Sequence, residues 1–326
     1  MSAPTSEKIV TVIGGSGFIG RHIVRALAKR GYRIRVACRR PDLAGHVQPL
    51  GTPGQIMPVR ANVRYPASLA AACDGAFAVI NLTGVLVSSG SQSFDAVHVY
   101  GAEASARGAK TAKVSVFIQM SALGADTSSA SEYARSKAAG ETKAKAAFPG
   151  AIILRPSIVF GPEDNFFNQF AGLSRLAPAL PLIGGGQTKF TPLFVGDLAE
   201  AIAVLIDAGE ATGKTYELGG PEVFTFKQLM EFTLETIGRK RLLVPVPWPV
   251  AKIMGSIMGM LPYAPLTADQ VELLKTDNVV SEAATREGRD LAGLGVSGHS
   301  ILSIVPSYLY RYRKAGQFTV PKGISK

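Results

Sequence analysis

Residues 10–20, VTVIGGSGFIG, decide the fold of the chain. A β-branched, mainly apolar run ends in three glycines at three-residue spacing, and a helical pattern follows at once. This order predicts a strand, a tight turn and a helix N-terminus, which together can hold a pyrophosphate. The alternative is a structural strand–helix turn without a ligand, but the complete motif context favours a nucleotide site. The candidate contacts are Gly14, Ser16, Gly17, Phe18, Ile19 and Gly20.

Length and composition are those of a large globular protein. The chain has 326 residues, of which 47% are hydrophobic and 18% are charged, so it can bury a large core and form two domains. Cys38 and Cys73 provide neither a disulfide framework nor a metal-binding spacing, and the four histidines are scattered. The net charge of +11 favours acidic or anionic partners. No nucleic-acid-binding motif accompanies that charge, so we expect no nucleic acid partner.

Strand and helix patterns alternate from residue 8 to about residue 160. Strands are predicted at 9–13, 33–38, 56–59, 76–82, 116–120 and 151–154, and helices at 17–30, 68–72, 94–112 and 132–147. This alternation predicts an α/β fold, a Rossmann-type doubly wound parallel sheet. We expect residues 1–160 to form the nucleotide domain, with a return segment at 190–220. Residues 161–189 and 221–326 should form a smaller, mainly helical C-terminal domain, the expected docking region.

The C-terminal half contains two apolar or aromatic stretches of uncertain placement. Residues 242–262 contain four prolines and Lys252, which excludes a regular membrane span of about 20 apolar residues. The part from Lys252 to Met260 suits a core helix, a membrane surface or a protein groove, and its methionines favour the core. The basic, aromatic tail at 308–314 suits either an interface or a solvated terminal helix. Thr225 and Gln228 form a capping-box pattern that predicts a helix start.

The end of the second predicted strand indicates which dinucleotide binds. In this fold an acidic residue there bonds to the ribose 2′-hydroxyl, whereas an arginine pairs with a 2′-phosphate. The strand ends in Arg39 and Arg40, and no acid occurs before Asp42. Bidentate arginine–phosphate geometry therefore favours NADPH as the cofactor. The alternative is that both arginines are ordinary surface residues before a turn.

The ends of the third and fourth strands supply further candidate contacts. Asn62 and Val63 follow the third strand, where the adenine edge would lie. Leu82, Thr83 and Gly84 follow the fourth strand and would line the floor under the nicotinamide ribose.

Tyr133 and Lys137 lie four residues apart, on one face of the predicted helix 132–147. This spacing allows the ammonium to stabilise a phenolate and to hold the nicotinamide ribose. The tyrosine can then act as a general acid or base toward a carbonyl or hydroxyl group. Ser121, at the end of the fifth strand, can supply the hydroxyl that orients a substrate oxygen. These three are the candidate catalytic residues.

Four motifs together resemble the extended short-chain dehydrogenase/reductase superfamily. They are the glycine motif at 14–20, NLTG at 81–84, Tyr133-x-x-x-Lys137 and RPSIVFGP at 155–162. Two further segments, FGPEDNFFNQF at 160–170 and PLTADQVELLKTDNV at 265–279, are similar to the short-chain-dehydrogenase-like accessory subunit of respiratory complex I. This second resemblance covers nearly the whole chain.

The resemblance implies a subunit that binds NADPH tightly and has no known turnover. Its expected partners are other complex I subunits at the quinone module and membrane-arm junction, together with an anionic membrane surface. The chain shows no presequence pattern, so we expect a bacterial member at the cytoplasmic face of the inner membrane. The alternative is a free-standing NADP-dependent oxidoreductase or epimerase acting on a small carbonyl or hydroxyl substrate, with Tyr133 as acid or base.

Overall fold

A computed structural model describes residues 5–260 and 266–314. The predicted positions Pro262 and Pro265 and the chain beyond Lys314 lie outside the described residues, as do residues 1–4.

Strands and helices alternate up to residue 156. The elements are β1 (Ile9–Ile13), α1 (Phe18–Lys29), β2 (Arg33–Cys38), β3 (Ile56–Arg60), α2 (Pro66–Cys73), β4 (Ala78–Asn81), α3 (Tyr100–Thr111), β5 (Val116–Met120), α4 (Glu132–Ala147) and β6 (Ile152–Pro156). Every strand and helix predicted in this region is present, and the ends lie within two residues of the prediction except at the start of α3, which begins at Tyr100 and not at Phe94. The sequence did not predict the π-helical turn Asp95–Val99 that precedes α3.

Many of the elements after residue 156 are short. They are β7 (Val159–Phe160), α5 (Phe166–Leu176), β8 (Ala179–Ile183), β9 (Lys189–Phe190), β10 (Leu193–Phe194), α6 (Val195–Ala208), β11 (Thr215–Leu218), β12 (Phe224–Thr225), α7 (Phe226–Thr236), β13 (Leu242–Val246), α8 (Trp248–Met258), α9 (Ala268–Leu273), α10 (Glu282–Arg286), α11 (Ile301–Ile304) and α12 (Pro306–Leu309).

Seven strands form one sheet in the order β11-β6-β5-β4-β1-β2-β3, and all its neighbours are parallel. Every residue of β4 and β5 is buried, because helices cover both faces of the sheet. On α1, the side chains of Ile23, Val24 and Leu27 have no exposed surface, so the helix packs through one apolar stripe. The predicted Rossmann-type fold is confirmed.

The chain forms two compact units. Among the described residues, the first unit contains 5–156, Val195–Leu218 and Ser281–Ser297. The expected return segment at 190–220 overlaps the middle part of this unit. Residues 281–297, which we expected in the smaller domain, belong to the first unit instead. They are held there because Ser281 N donates to Glu217 Oε2 at 2.8 Å and Arg289 Nη1 donates to the Thr215 carbonyl at 2.7 Å.

The second unit contains a phenylalanine-rich core and three two-stranded sheets, β7–β10, β8–β13 and β9–β12. Buried side chains in its core include Phe160, Phe167 and Phe226. The capping box predicted at the start of α7 is confirmed. Gln228 N donates to Thr225 Oγ1 at 3.2 Å, and Thr225 N donates to Gln228 Oε1 at 2.7 Å.

The segment 160–170 folds around a buried carboxylate. Asp164 is 2% exposed and accepts hydrogen bonds from Gly161 N at 3.2 Å, Asn168 N at 3.1 Å and the Tyr308 hydroxyl. Burial raises the pKa of the Asp164 carboxyl, although these bonds oppose that rise. Tyr308 and Leu309 are buried in this unit. The start of the aromatic tail is therefore packed, contrary to the solvated-helix alternative.

The second distinctive segment, at 265–279, is fixed through Asn278. The Ser157 hydroxyl donates to Asn278 Oδ1 at 2.7 Å, and Asn278 N donates to the Lys189 carbonyl at 2.8 Å. The Asn278 carbonyl in turn accepts from Thr191 N at 3.2 Å. Asn278 thus pairs with the chain around β9 as a short additional strand would.

Within the apolar stretch 242–262, the expectation of a core helix from Lys252 to Met260 is wrong. The stretch forms β13 and then α8, and the only buried residues of α8 are Ala251 and Gly255. Its apolar side chains are largely exposed, with Ile253 62% and Ile257 63% accessible. Among the described helices, none combines the length and the apolar character that a membrane crossing requires.

Candidate dinucleotide site

The glycine loop joins β1 to α1 at the carboxyl edge of the sheet. Gly14 has φ of +82°, a region that other residues rarely adopt. A Cβ atom on Gly20 would lie 2.5 Å from the Gly15 Cα, so α1 approaches the loop closely only because residue 20 is glycine. A Cβ on Gly17 would meet only the Gly14 carbonyl oxygen, at 3.4 Å, which leaves space beside the helix N-terminus. The first turn of α1 contains no acidic residue, so this N-terminus favours an anion.

The two arginines after β2 differ in their surroundings. Both are exposed, and Arg40 is paired with Asp42 at 2.8 Å. Its hydrogen bonds lower the pKa of the Asp42 carboxyl. Arg39 Nη1 instead donates to the neutral side chain of Gln92, at 2.7 Å from Oε1. Both arginines are predicted to contact a 2′-phosphate. The positive charge of Arg40 is offset by the Asp42 carboxylate, whereas that of Arg39 is offset less, because its partner is a neutral amide.

Two side chains that the sequence did not single out also contact the glycine loop. Burial raises the pKa of the Cys38 thiol, although the Ser16 side chain of the loop opposes that rise. The imidazole Nε2 of His46 lies 3.1 Å from the Ser16 carbonyl oxygen, while its Nδ1 lies 3.1 Å from the Leu43 carbonyl oxygen. The loop is thus tied to the chain after β2, where the predicted phosphate contacts lie.

The predicted adenine contacts after β3 have different environments. Asn62 Oδ1 accepts from Arg64 N at 3.1 Å and so stabilises the turn that follows the strand. Val63 is 8% exposed and belongs to the hydrophobic core, where it packs against Gly101 of α3. The Val63 side chain is therefore occupied in the core, and its predicted adenine contact stays a prediction.

The end of β4 lies beside the glycine loop, where the predicted floor residues Leu82, Thr83 and Gly84 follow the strand. Leu82 lies against Gly14, because a Cβ at Gly14 would be 3.6 Å from the Leu82 Cβ. Asn81 Oδ1 accepts from Thr83 N at 3.1 Å and from the Thr83 hydroxyl at 2.6 Å. The Thr83 hydroxyl proton is thereby directed into the protein. A Cβ at Gly84 would lie 3.2 Å from Lys137 Nζ, so the predicted floor and the predicted lysine meet.

Tyr133 and Lys137 share one face of α4, as predicted. Tyr133 is half-buried, and the centroid of its ring lies 5.7 Å from Lys137 Nζ. Lys137 is 7% exposed, and burial lowers the pKa of its ammonium to about 8, although the Glu141 carboxylate opposes this shift. Within the described residues, Lys137 forms no ion pair. A buried ammonium without a paired carboxylate beside an open loop fits a ligand with hydroxyl or phosphate oxygens.

His98, in the π-helical turn before α3, connects the floor to α4. Its Nε2 accepts from Val85 N at 3.0 Å, so Nδ1 carries the proton and lies 2.9 Å from Ser136 Oγ. Burial and the Lys137 ammonium lower the pKa of this imidazole to about 3, so it is neutral at physiological pH. This role was not predictable from sequence, because a lone histidine in a helical pattern indicates only a core or surface position.

Ser121, predicted to orient a substrate oxygen, is 4% exposed and donates its hydroxyl proton to Glu141 Oε1. Arg155 holds the same carboxylate with Nε at 2.8 Å from Oε1 and Nη2 at 2.7 Å from Oε2. The hydroxyl proton of Ser121 is therefore engaged inside the protein. Neither Glu141 nor Arg155 was assigned to this cluster from sequence.

The first unit has the features that a nicotinamide dinucleotide requires. The loop and N-terminus of α1 suit the pyrophosphate, Arg39 suits a further phosphate, and Lys137 beside Gly84 suits the ribose. When bound, such a group supplies hydride chemistry. The residues around it supply positive charge, close backbone approach and a half-buried phenol.

Comparison with known proteins defines the class. The model of the NAD dependent epimerase/dehydratase family matches residues 10–219, the greater part of the chain. The chain therefore belongs to this family. A crystal structure of dTDP-glucose 4,6-dehydratase from Streptomyces venezuelae, with NAD and TYD bound, has the same fold. It is 20% identical, its TM-score is 0.67, and the match covers 93% of this chain and 96% of that one.

Within this class, the chain belongs to a family of complex I subunits. It is 37% identical over 321 residues to NADH dehydrogenase (ubiquinone) 1 alpha subcomplex subunit 9, mitochondrial, of Arabidopsis thaliana, a match covering 94% of this chain and 79% of the relative. The resemblance drawn from segments 160–170 and 265–279 is thereby confirmed. A second relative is the ceramide reductase of Caulobacter vibrioides, which is 31% identical over 301 residues, 88% of this chain and 90% of the relative.

Proposed function

We propose that this chain is an accessory subunit of respiratory complex I that binds NADPH and stabilises or assembles the peripheral arm. The observation that carries the proposal is the 37% identity to the Arabidopsis subunit across 94% of the chain. That similarity extends through both compact units, so it includes the C-terminal segments that the epimerase/dehydratase model does not match.

The hydroxyl groups of Ser121 and Thr83 support a role without turnover, because both already donate hydrogen bonds inside the protein. The Ser121 proton goes to Glu141, and the Thr83 proton goes to Asn81. A substrate carbonyl could receive a hydrogen bond from Ser121 or Thr83 only by displacing one of these internal bonds. Such a site is better suited to retaining a cofactor than to activating a carbonyl group.

NADPH is favoured over NADH by Arg39. Its guanidinium follows β2, where this fold selects for or against a 2′-phosphate, and its observed partner is a neutral amide. Arg40 adds positive charge beside it, although Asp42 offsets part of that charge.

The α8 face supports docking at the junction of the peripheral arm with the membrane. We define it as Val250, Ile253, Ile257 and Met260, whose exposed fractions are 49%, 62%, 63% and 83%. The first three lie at positions i, i+3 and i+7, so they share one side of the helix. A net charge of +11 supports acidic partner subunits or an anionic lipid surface as the docking partner.

The test is purification of the tagged full chain from gently solubilised membranes. We expect it to co-migrate with complex I subunits and to carry NADPH. Gly17→Trp should block the phosphate cradle and reduce assembly, whereas Tyr133→Phe should leave assembly and bound NADPH unchanged. Migration solely as a free protein, without other subunits, would contradict the proposal.

The second candidate is an NADP-dependent reductase. It is supported by the ceramide reductase relative and by the shared face of Tyr133 and Lys137. This function requires NADPH oxidation on addition of a lipid or small carbonyl substrate, with Tyr133→Phe abolishing turnover while NADPH stays bound. Turnover with that dependence would replace the first candidate.

A further inference from the structure

The loop after β4 reaches across the carboxyl edge of the sheet. We call residues 84–93 the strap. The strap leaves β4, yet its far end contacts residues that follow β2 and β3, namely Arg39 and Arg64. In the sheet the order is β4-β1-β2-β3, so the strap passes the end of β1, where the glycine loop begins. At about 4.8 Å between neighbouring strands, it spans roughly 10–14 Å of this edge.

The far end of the strap is a closed turn. Ser89 N donates to the Gln92 carbonyl at 3.3 Å, and Gln92 N donates to the Ser89 carbonyl at 2.9 Å. Gly90 lies between them with φ of +51°, a conformation that disfavours residues with side chains. The turn therefore presents Gln92 in a defined position.

Two arginines hold this turn. Arg39 Nη1 donates to the Gln92 side chain at 2.7 Å, and Arg64 Nη1 donates to the Ser91 carbonyl at 3.2 Å. At the near end of the strap, Val85 N donates to His98 at 3.0 Å. The strap is thus fixed at both ends of the edge along which a dinucleotide in this fold lies.

We infer that the strap closes over the bound dinucleotide, and that Gln92 makes the site selective for a 2′-phosphate by orienting Arg39. One bond to Gln92 restricts the guanidinium but leaves its other N–H groups for the phosphate, because arginine has five donors. This inference rests on the proposed binding of NADPH. It adds that the selectivity depends on a residue of the strap as well as on the arginine.

The test is the affinity of the purified full chain for NADPH and NADH, measured by calorimetry, with release rates from stopped-flow fluorescence. Gln92→Glu should pair with Arg39 and repel the 2′-phosphate. We expect NADPH affinity to fall about 10–100-fold, the range of a charge-assisted hydrogen bond, and NADH affinity to change less than about twofold. Gln92→Ala should give a smaller loss of NADPH affinity, again with NADH affinity nearly unchanged. Gly90→Val should accelerate release of both nucleotides, because valine disfavours the turn.

Two further variants complete the design. Gln187→Glu makes the same charge change at an exposed glutamine of the other compact unit and should alter neither affinity. Arg39→Ala tests the underlying cofactor assignment and should weaken NADPH far more than NADH. If Arg39→Ala is selective but Gln92→Glu and Gly90→Val match the wild type, the strap inference is overturned and the NADPH site stands. If Arg39→Ala weakens both nucleotides equally, the 2′-phosphate assignment itself fails.

Discussion

Replacing His98 with asparagine should change how the stability of the protein depends on pH. His98 is 3% exposed, and burial with the nearby Lys137 ammonium lowers the pKa of its imidazole from 6.5 to about 3. Between these values the unfolded chain binds a proton at this site that the folded chain does not. The folded state therefore loses stability as pH falls through this window.

The size of this loss of stability follows from how far the pH falls between the two pKa values of His98. One pKa unit corresponds to about 1.36 kcal/mol, so lowering the pH from 6.5 to 5 removes about 2 kcal/mol through His98 alone. Asparagine does not titrate, and it leaves the Val85 amide without its acceptor, which costs about 1–3 kcal/mol. The variant should thus be less stable than the wild type at pH 7. The difference between the two should shrink by about 2 kcal/mol at pH 5.

The assay is urea unfolding followed by circular dichroism at pH 7, 6 and 5. His22→Asn, at a partly exposed histidine of α1, is the matched control and should not make the curves converge. A second readout is the imidazole ¹H–¹⁵N correlation, in which Nδ1 should carry the proton of a neutral ring at pH 5. A free-energy difference that stays constant or widens from pH 7 to pH 5 would refute the reasoning.

Four other changes test separate parts of the molecule. Lys137→Met removes a buried ammonium, so it should increase the free energy of unfolding at pH 7 by up to about 3 kcal/mol, measured in urea. The same variant should lose NADPH binding, measured by calorimetry. Tyr308→Phe should cost about 1.5–3 kcal/mol in the same unfolding assay, because it removes a hydrogen bond to buried Asp164. Thr225→Ala should cost about 1 kcal/mol and Thr225→Ser much less, since serine retains the cap. Ile253→Asp should reduce co-purification with membranes while leaving NADPH affinity unchanged, because its side chain is exposed on the α8 face.

The parallel sheet was predictable because its signals are local. Residues 10–20 contain the strand, turn and helix start in one continuous segment, and β4 and β5 are mainly apolar, fully buried runs. The capping box at Thr225 is likewise a pattern of four residues. Each of these features depends on neighbours in sequence, so one chain without an alignment is sufficient to find it.

The failures concern contacts between residues distant in sequence. Nothing near Ser121 indicates that Glu141 and Arg155 would engage its hydroxyl, and nothing near His98 indicates Val85 as its donor. The helix α8 was misjudged for a related reason. Its composition is that of a core helix, but whether an apolar face is covered depends on the tertiary packing around it.

The arrangement around Lys137 gives a physical reason for a cofactor to act as a structural component. A buried ammonium that forms no ion pair within the described residues destabilises the ligand-free unit, as the lowering of its pKa to about 8 indicates. A dinucleotide whose ribose hydroxyls accept hydrogen bonds from this ammonium would offset that cost. A ligand that binds only the folded state adds about 2.7 kcal/mol of stability at 100 times its dissociation constant. That gain is comparable to the burial cost of one lysine, so retention of the dinucleotide would offset this cost whether or not a hydride is ever transferred.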